Sequence, residues 1–141
     1  MSAKTRNIEW THGDKILFPK SGITKRDVLQ YYDRISDHIL PFLKDRPLTM
    51  RRYPNGIDKE GFFQKHAPNN IPEWIQTTMI RKKEGWLTQI LCNTRDTLIY
   101  LVNLYTIEFH VNLSKITQID FPDKIVFDLD PSGNQFQSVV K

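Results

Sequence analysis

The 141-residue chain carries a single cysteine, Cys92. One thiol excludes both a disulfide framework and a cysteine-rich zinc site. Cys92 closes the apolar run Trp86 to Cys92, so the expected role is a small buried hydrophobe rather than a reactive thiol. No stretch approaches the roughly 18 apolar residues of a membrane span. Met1 to Asn7 is not followed by a signal-peptide core either. These two gaps lead to the expectation of a soluble, intracellular protein with no membrane contact. Internal repeats, low-complexity tracts and obvious linkers are also missing. A large excess of one charge is missing too, since 20 Lys and Arg stand against 16 Asp and Glu, a formal net charge of +4. That balance leans towards an anionic partner but does not by itself establish nucleic-acid binding.

The composition that is present, 39% hydrophobic and 26% charged, is that of a folded chain. One domain over residues 1–141 is expected, large enough to build a core without disulfides. Ile8 to Trp10 reads as a short edge strand, Thr11 to Asp14 as a turn, and Lys15 to Phe18 as an apolar run stopped by Pro19. The clearest helix follows. Thr24 caps it with Asp27 as the capping-box acid, and Val28, Tyr32, Ile35, Ile39 and Leu43 form one apolar face. Pro41 is expected to end or bend that helix near His38 to Leu40.

Strands are expected over Arg46 to Tyr53, Gly61 to His66, Ile75 to Arg81 and Trp86 to Cys92, the last two joined as a hairpin through residues 82–85. Pro54-Asn55-Gly56 is turn chemistry. Thr94 starts a second helix carrying Leu98, Leu101, Val102 and Tyr105. Ile107 to Leu113 alternates, placing Glu108, His110 and Asn112 opposite Ile107, Phe109 and Val111. The expected fold class is α+β, a mainly antiparallel sheet with supporting helices.

Lys124 to Pro131 reads as a further strand with Asp128 and Asp130 on one face. Residues two apart on a strand are separated by roughly 6.5–7 Å, so both carboxylates project together. Two adjacent like charges repel, and a divalent cation removes the conflict; hard oxygen donors suit Mg2+ or Mn2+. A solvated strand end before an Asp-Pro-Ser-Gly turn satisfies the same residues.

Several separated stretches together resemble one family. They are Asp14 to Pro19, Gly22 to Lys25 with Tyr31-Tyr32, Arg46 to Thr49, Arg52 to Gly56, Gly61 to Lys65, Glu108 to Val111 and Val126 to Pro131. In this order they resemble the polymerase domain of bacterial ligase D, within the archaeo-eukaryotic primase superfamily. The resemblance implies a repair polymerase module of non-homologous end joining, with nucleoside triphosphates as substrates and DNA bearing a 5′-phosphorylated end or gap as partner. It implies that Asp128 and Asp130 are catalytic and hold Mn2+ or Mg2+. It implies that His110 lies near the incoming nucleotide and that Lys15 and Lys25 hold a downstream 5′-phosphate. Phe62 and Phe63 match a paired aromatic that stacks on template bases, where each base is worth about 1–3 kcal/mol. Arg52 is the better of the Arg51–Arg52 pair for contact with DNA or nucleotide. Bland roles compete at each position: a sheet-bonded histidine, surface lysines and core phenylalanines. Ku and a DNA ligase are the further partners implied, in a cytoplasmic, nucleoid-associated setting.

The sequence also departs from that pattern. The family's Ser-Gly-x-Lys-Gly-x-His element and third metal carboxylate do not follow Pro131. The expectation is therefore an N-terminal half whose catalytic centre is incomplete in this chain. A non-catalytic DNA-end-binding module, or one subunit of a split polymerase, is the alternative. A dehalogenase-type phosphatase also uses Asp-x-Asp at a strand end, but needs a long α/β domain after the motif.

Overall fold

The computed structural model describes residues 6–129. Strands β1 (Ile16–Phe18) and β2 (Ile23–Thr24) form a small antiparallel pair, and helix α1 (Lys25–Arg34) follows directly. Thr24 caps α1: its side chain accepts from the Asp27 N–H, and the Asp27 carboxylate accepts from the Thr24 N–H in return. This reciprocal pairing satisfies two of the amides that a helix start otherwise leaves unbonded.

The break in the helical region differs from the expected one. It falls at Ile35, and α2 (Ser36–Leu43) continues through Pro41. With a new helix beginning at Ser36, Pro41 falls in the last turn of a short helix, so its missing N–H removes one backbone bond near the end rather than interrupting a long ladder.

The main sheet contains β3 (Pro47–Arg52), β4 (Phe62–Gln64), β5 (Thr77–Lys82), β6 (Gly85–Leu91) and β7 (Thr106–Val111). Strand β3 is its hub. Leu48 pairs with Ile90 of β6 on one edge and Val111 of β7 on the other. Farther along β3, Arg51 pairs with Phe63 of β4 and Glu108 of β7. All pairings are antiparallel, as expected from the alternating runs.

Cross-strand partners share a face of the sheet. Leu48, Met50 and Ile90 face the core with Leu98, Leu101 and Val102 of α3 (Arg95–Asn103) and Val28 and Leu29 of α1. Thr94 caps α3 by accepting from the Thr97 N–H. Tyr32 of α1 ties the layers together, donating its hydroxyl to the Ile107 carbonyl at 2.6 Å and meeting the Phe109 ring edge-on. Cys92 is fully buried, and burial pushes its thiol up to about 12. The opposite sheet face, with Thr49, Arg51, Phe63, Glu108 and His110, is left open by these helices.

Two expected strands are corrected. Residues 8–10 have no strand pairing; they are held beside α3 by a side-chain bond from Asn103 to the Glu9 carbonyl. Residues 124–129 also form no strand, and Ile125, Val126, Phe127 and Leu129 are each more than 60% exposed. Alternation supplies a candidate face, but a strand exists only where a neighbour accepts its backbone bonds, and no described residue fills that role here. Asp130 lies outside the described residues.

Candidate nucleic-acid interface

Two basic segments meet where the 11–15 turn crosses the start of α1. The Lys25 N–H donates to the Lys15 carbonyl at 2.8 Å, and the Arg26 N–H donates to the Gly13 carbonyl at 2.9 Å. These bonds bring residues ten and thirteen positions apart in sequence into register. Both ammonium groups then lie over one aromatic ring, Lys25 Nζ at 4.2 Å and Lys15 Nζ at 5.3 Å from the Tyr105 centroid. Tyr105 is presented by a turn after α3, at φ 67°.

The two lysines are unequal. Lys15 is exposed, whereas Lys25 is fully buried and donates to the Thr11 carbonyl at 2.7 Å and the Thr11 hydroxyl at 3.1 Å. Burial first, and the neighbouring Lys15 charge second, lower the Lys25 pKa to about 8. Such a group is sensitive to an added anion, because a bound phosphate oxygen offsets both causes. His12 sits in the same turn with φ 52° and is exposed.

The open sheet face holds a second group of candidates. Phe63 meets His110 edge-on at 5.3 Å and lies 5.1 Å from the Arg51 guanidinium. Glu108 forms the centre of a polar network. One of its oxygens accepts from the Tyr53 hydroxyl at 2.5 Å and from Arg51 NH1 at 3.3 Å; the other meets His110 Nε2 at 2.9 Å. The Tyr53 bond, then the His110 bond, hold Glu108 below the usual carboxylate range, and the same carboxylate pushes Tyr53 upward. Glu108 is therefore the ionised acceptor and Tyr53 the neutral donor of that pair.

Arg52 lies on the other face, with the core-facing residues of β3. Its Nε donates to the Leu104 carbonyl and its NH1 to Gln64 Oε1, both at 2.7 Å. Phe62 accompanies it at 5.2 Å from the guanidinium. The adjacent phenylalanines consequently divide between faces, and both are exposed. The geometry places Arg51 beside Phe63 and His110, leaving Arg52 in a structural setting. Asp128 is exposed in the irregular segment after Lys124. No group of three potential metal-ligating His, Cys, Asp or Glu side chains occurs among the described residues.

Sequence reading did not single out Arg51, Tyr53, Thr11 or Tyr105 for the interface, and took Glu108 only as part of a motif. Alternation did place Glu108 with His110. Nothing in the spacing brings Tyr105 beneath two lysines, since that requires the turn after α3.

This arrangement defines an α+β domain with a basic pocket at one helix start and an open sheet face bearing paired cationic and aromatic groups. The family model for the LigD primase-polymerase domain matches residues 24–141, and the chain belongs to that family. It is 41% identical over 124 residues to the "Bifunctional non-homologous end joining protein LigD" of Bacillus subtilis, an alignment covering 88% of this chain and 20% of that protein. It is 36% identical over 126 residues to the "Multifunctional non-homologous end joining protein LigD" of Mycolicibacterium smegmatis, covering 88% of this chain and 16% of that protein. The chain thus spans a fifth or less of these relatives. Its fold superposes on the polymerase domain of Mycobacterium tuberculosis ligase D, solved in complex with DNA, with a TM-score of 0.76 and 28% identity. That match covers 79% of this chain and 39% of the solved one.

Proposed function

We propose that the chain is a DNA-end-binding part of a non-homologous end-joining polymerase module, engaging 5′-phosphorylated gaps or ends. The observation that carries this reading is the convergence of Lys15 and Lys25 on Tyr105. Two cations on a common platform, one of them buried, favour a compact dianion over a diffuse polyanion. The naming of the relatives for end joining, and the DNA in the M. tuberculosis structure, support the same assignment. Phe63 and Arg51 would meet template bases and backbone on the open face, with His110 beside the incoming nucleotide.

Nucleotide addition belongs to the same reading. Asp128 supplies hard carboxylate oxygens of the kind that hold Mg2+ or Mn2+, and Asp130 is the second ligand proposed from sequence. A bound divalent cation would lower the pKa of an attacking 3′-hydroxyl and offset charge on departing pyrophosphate. The chain's own residues contribute the end pocket and the strand-facing surface. A binding module that does not polymerise alone is the second reading, favoured by the position of Asp128 in an exposed segment outside the sheet.

Gapped DNA with and without a downstream 5′-phosphate tests the end-binding assignment by fluorescence anisotropy. The expected result is tighter binding to the phosphorylated gap, with the preference removed by Lys15→Gln with Lys25→Met. Equal affinity for the two DNAs would overturn it. Extension with ribonucleotides and Mn2+ tests addition: product from the unaltered chain and none from Asp128→Ala is the expectation. No product from either leaves the binding module as the function.

A further inference from the structure

Asn103 ends α3 two residues before Tyr105, the ring beneath both lysines. Its amide reaches back to the stretch that leads into the 11–15 turn. Oδ1 accepts from the Thr11 N–H at 3.1 Å and from the Thr11 hydroxyl at 3.4 Å, and Nδ2 donates to the Glu9 carbonyl at 2.9 Å. A backbone N–H only donates and a backbone carbonyl only accepts, so these partners fix the orientation of the amide. One side chain thus ties residues 9 and 11 to the end of α3.

Thr11 holds Lys25 in turn. Its carbonyl accepts from the ammonium at 2.7 Å and its hydroxyl at 3.1 Å. Because that hydroxyl gives its proton to Asn103, its lone pairs are left for Lys25, and the donors run one way, from Lys25 through Thr11 to Asn103. Two of the three ammonium hydrogens are then engaged, and one remains for a ligand. The far side of the turn has its own tie to α1, through the Arg26 N–H on the Gly13 carbonyl and the Arg26–Asp14 ion pair at 2.9 Å. Asn103 is the side chain that secures the near side. Thr11 is exposed while Lys25 beneath it is fully buried, so release of Thr11 would admit water to the ammonium.

We propose that Asn103 is a positioning residue for the phosphate pocket: through the Thr11 N–H and hydroxyl it keeps the Lys25 ammonium over Tyr105 and beside Lys15, with one donor free for a phosphate oxygen. This rests on the end-binding reading and names the residue that sets its selectivity. The signature is specific. Without Asn103 the chain loses discrimination for the terminal phosphate, whereas its affinity for an unphosphorylated gap changes little. Lys15, from the 11–15 turn, and Tyr105, from the turn after α3, are the titratable groups that face Lys25.

The test uses the whole chain and gapped DNA with or without a downstream 5′-phosphate. Alanine suits the last turn of a helix, so Asn103→Ala should fold, and it should lower the ratio of the two affinities about fivefold. Thr11→Val, which removes the hydroxyl and spares the carbonyl, should lower it about twofold to threefold. Arg6→Gln is the control, because Arg6 ties the same N-terminal stretch to Asp96 at the opposite end of α3; it should leave the ratio unchanged. In a Lys25→Met background Asn103→Ala should reduce the ratio no further, since both act through one ammonium. A second readout needs no DNA. The 13Cε shift of Lys25 should titrate near pH 8 in the unaltered chain, and higher in Asn103→Ala, where water reaches the amine. If the unaltered chain discriminates and Asn103→Ala does so equally, the positioning role is overturned and the end-binding reading stands. A lost ratio with the Lys25 titration unmoved overturns the route through Lys25. Equal binding of the two DNAs by the unaltered chain overturns the end-binding reading, and this role with it. Should Asn103→Ala fail to fold, Thr11→Val decides: an unchanged ratio and titration overturn the role.

Discussion

If the proposed end-binding function holds, Lys25 couples affinity to proton concentration. Its pKa is lowered to about 8 because burial disfavours the ammonium and Lys15 repels it. Below pH 8 the ammonium is present, as the proposed phosphate contact requires. Above pH 8 the free protein loses that proton, and binding must take it up again at a free-energy cost. Under the proposed end-binding function, affinity for a 5′-phosphorylated gap should be flat from about pH 7 to about 8, where the terminal phosphate is already the dianion, and fall above that, approaching tenfold per unit. The gap lacking the phosphate should show no such fall. Titration of both DNAs by anisotropy checks this, and a common pH profile would contradict it. Cys92 makes the opposite case, a titratable group removed from use. Fully buried, with its thiol pushed up to about 12, it should resist a thiol-specific reagent in the native protein. Modification should appear only in step with the loss of circular dichroism in urea.

At the scale of elements, Arg46 holds the sheet to the chain that follows it. Its nearly buried guanidinium donates to the Asn112 and Leu113 carbonyls at 3.2 and 2.8 Å and to the Asp123 carboxylate at 2.7 Å. Replacing it leaves acceptors without a donor inside the fold. Arg46→Met should destabilise by roughly 2–4 kcal/mol in urea denaturation, since a buried group is lost together with several charge-assisted bonds. Asp123 is half exposed, and Asp123→Asn should cost clearly less. The reverse order would show that the guanidinium is not the anchor.

Elements of this kind differed in how far the sequence disclosed them. Helix α1 was legible because Thr24, Asp27 and the spacing of Val28 and Tyr32 act locally. The acidic segment was not, because strand formation depends on a partner, whatever the alternation of Ile125, Phe127 and Leu129. The face of β3 was legible in part: Leu48 and Met50 already placed Arg52 on the apolar side. Family likeness drew attention to Arg52, while cross-strand pairing puts Arg51 against Phe63 and Glu108. The lysine pocket depended on backbone bonds between the 11–15 turn and α1, which no residue spacing announces.

For the molecule as a whole, glycine fixes how closely the pieces approach. A Cβ on Gly61 would stand 2.6 Å from the Tyr53 ring and 2.9 Å from the Arg52 carbonyl. Gly61→Ala should therefore displace Tyr53 and disturb the Glu108 network on the far side of β3. Gly56, at φ +87°, makes the turn by which Ile57 bonds back to the Leu17 carbonyl, linking the β1 segment to the main sheet. The bare run from Ile125 to Leu129 has a consequence for handling in solution. Four large apolar side chains there are more than 60% exposed on backbone that pairs with no strand among the described residues, a template on which copies can add to one another. At low salt the net positive charge keeps copies apart. Salt screens that repulsion and would also weaken the proposed DNA binding, so self-association should rise with ionic strength while any DNA affinity falls. Light scattering across a salt series should show the mass increase, and Val126→Lys with Phe127→Glu should abolish it; the two opposing trends would bound the ionic strengths at which the proposed DNA complex can be studied without self-association.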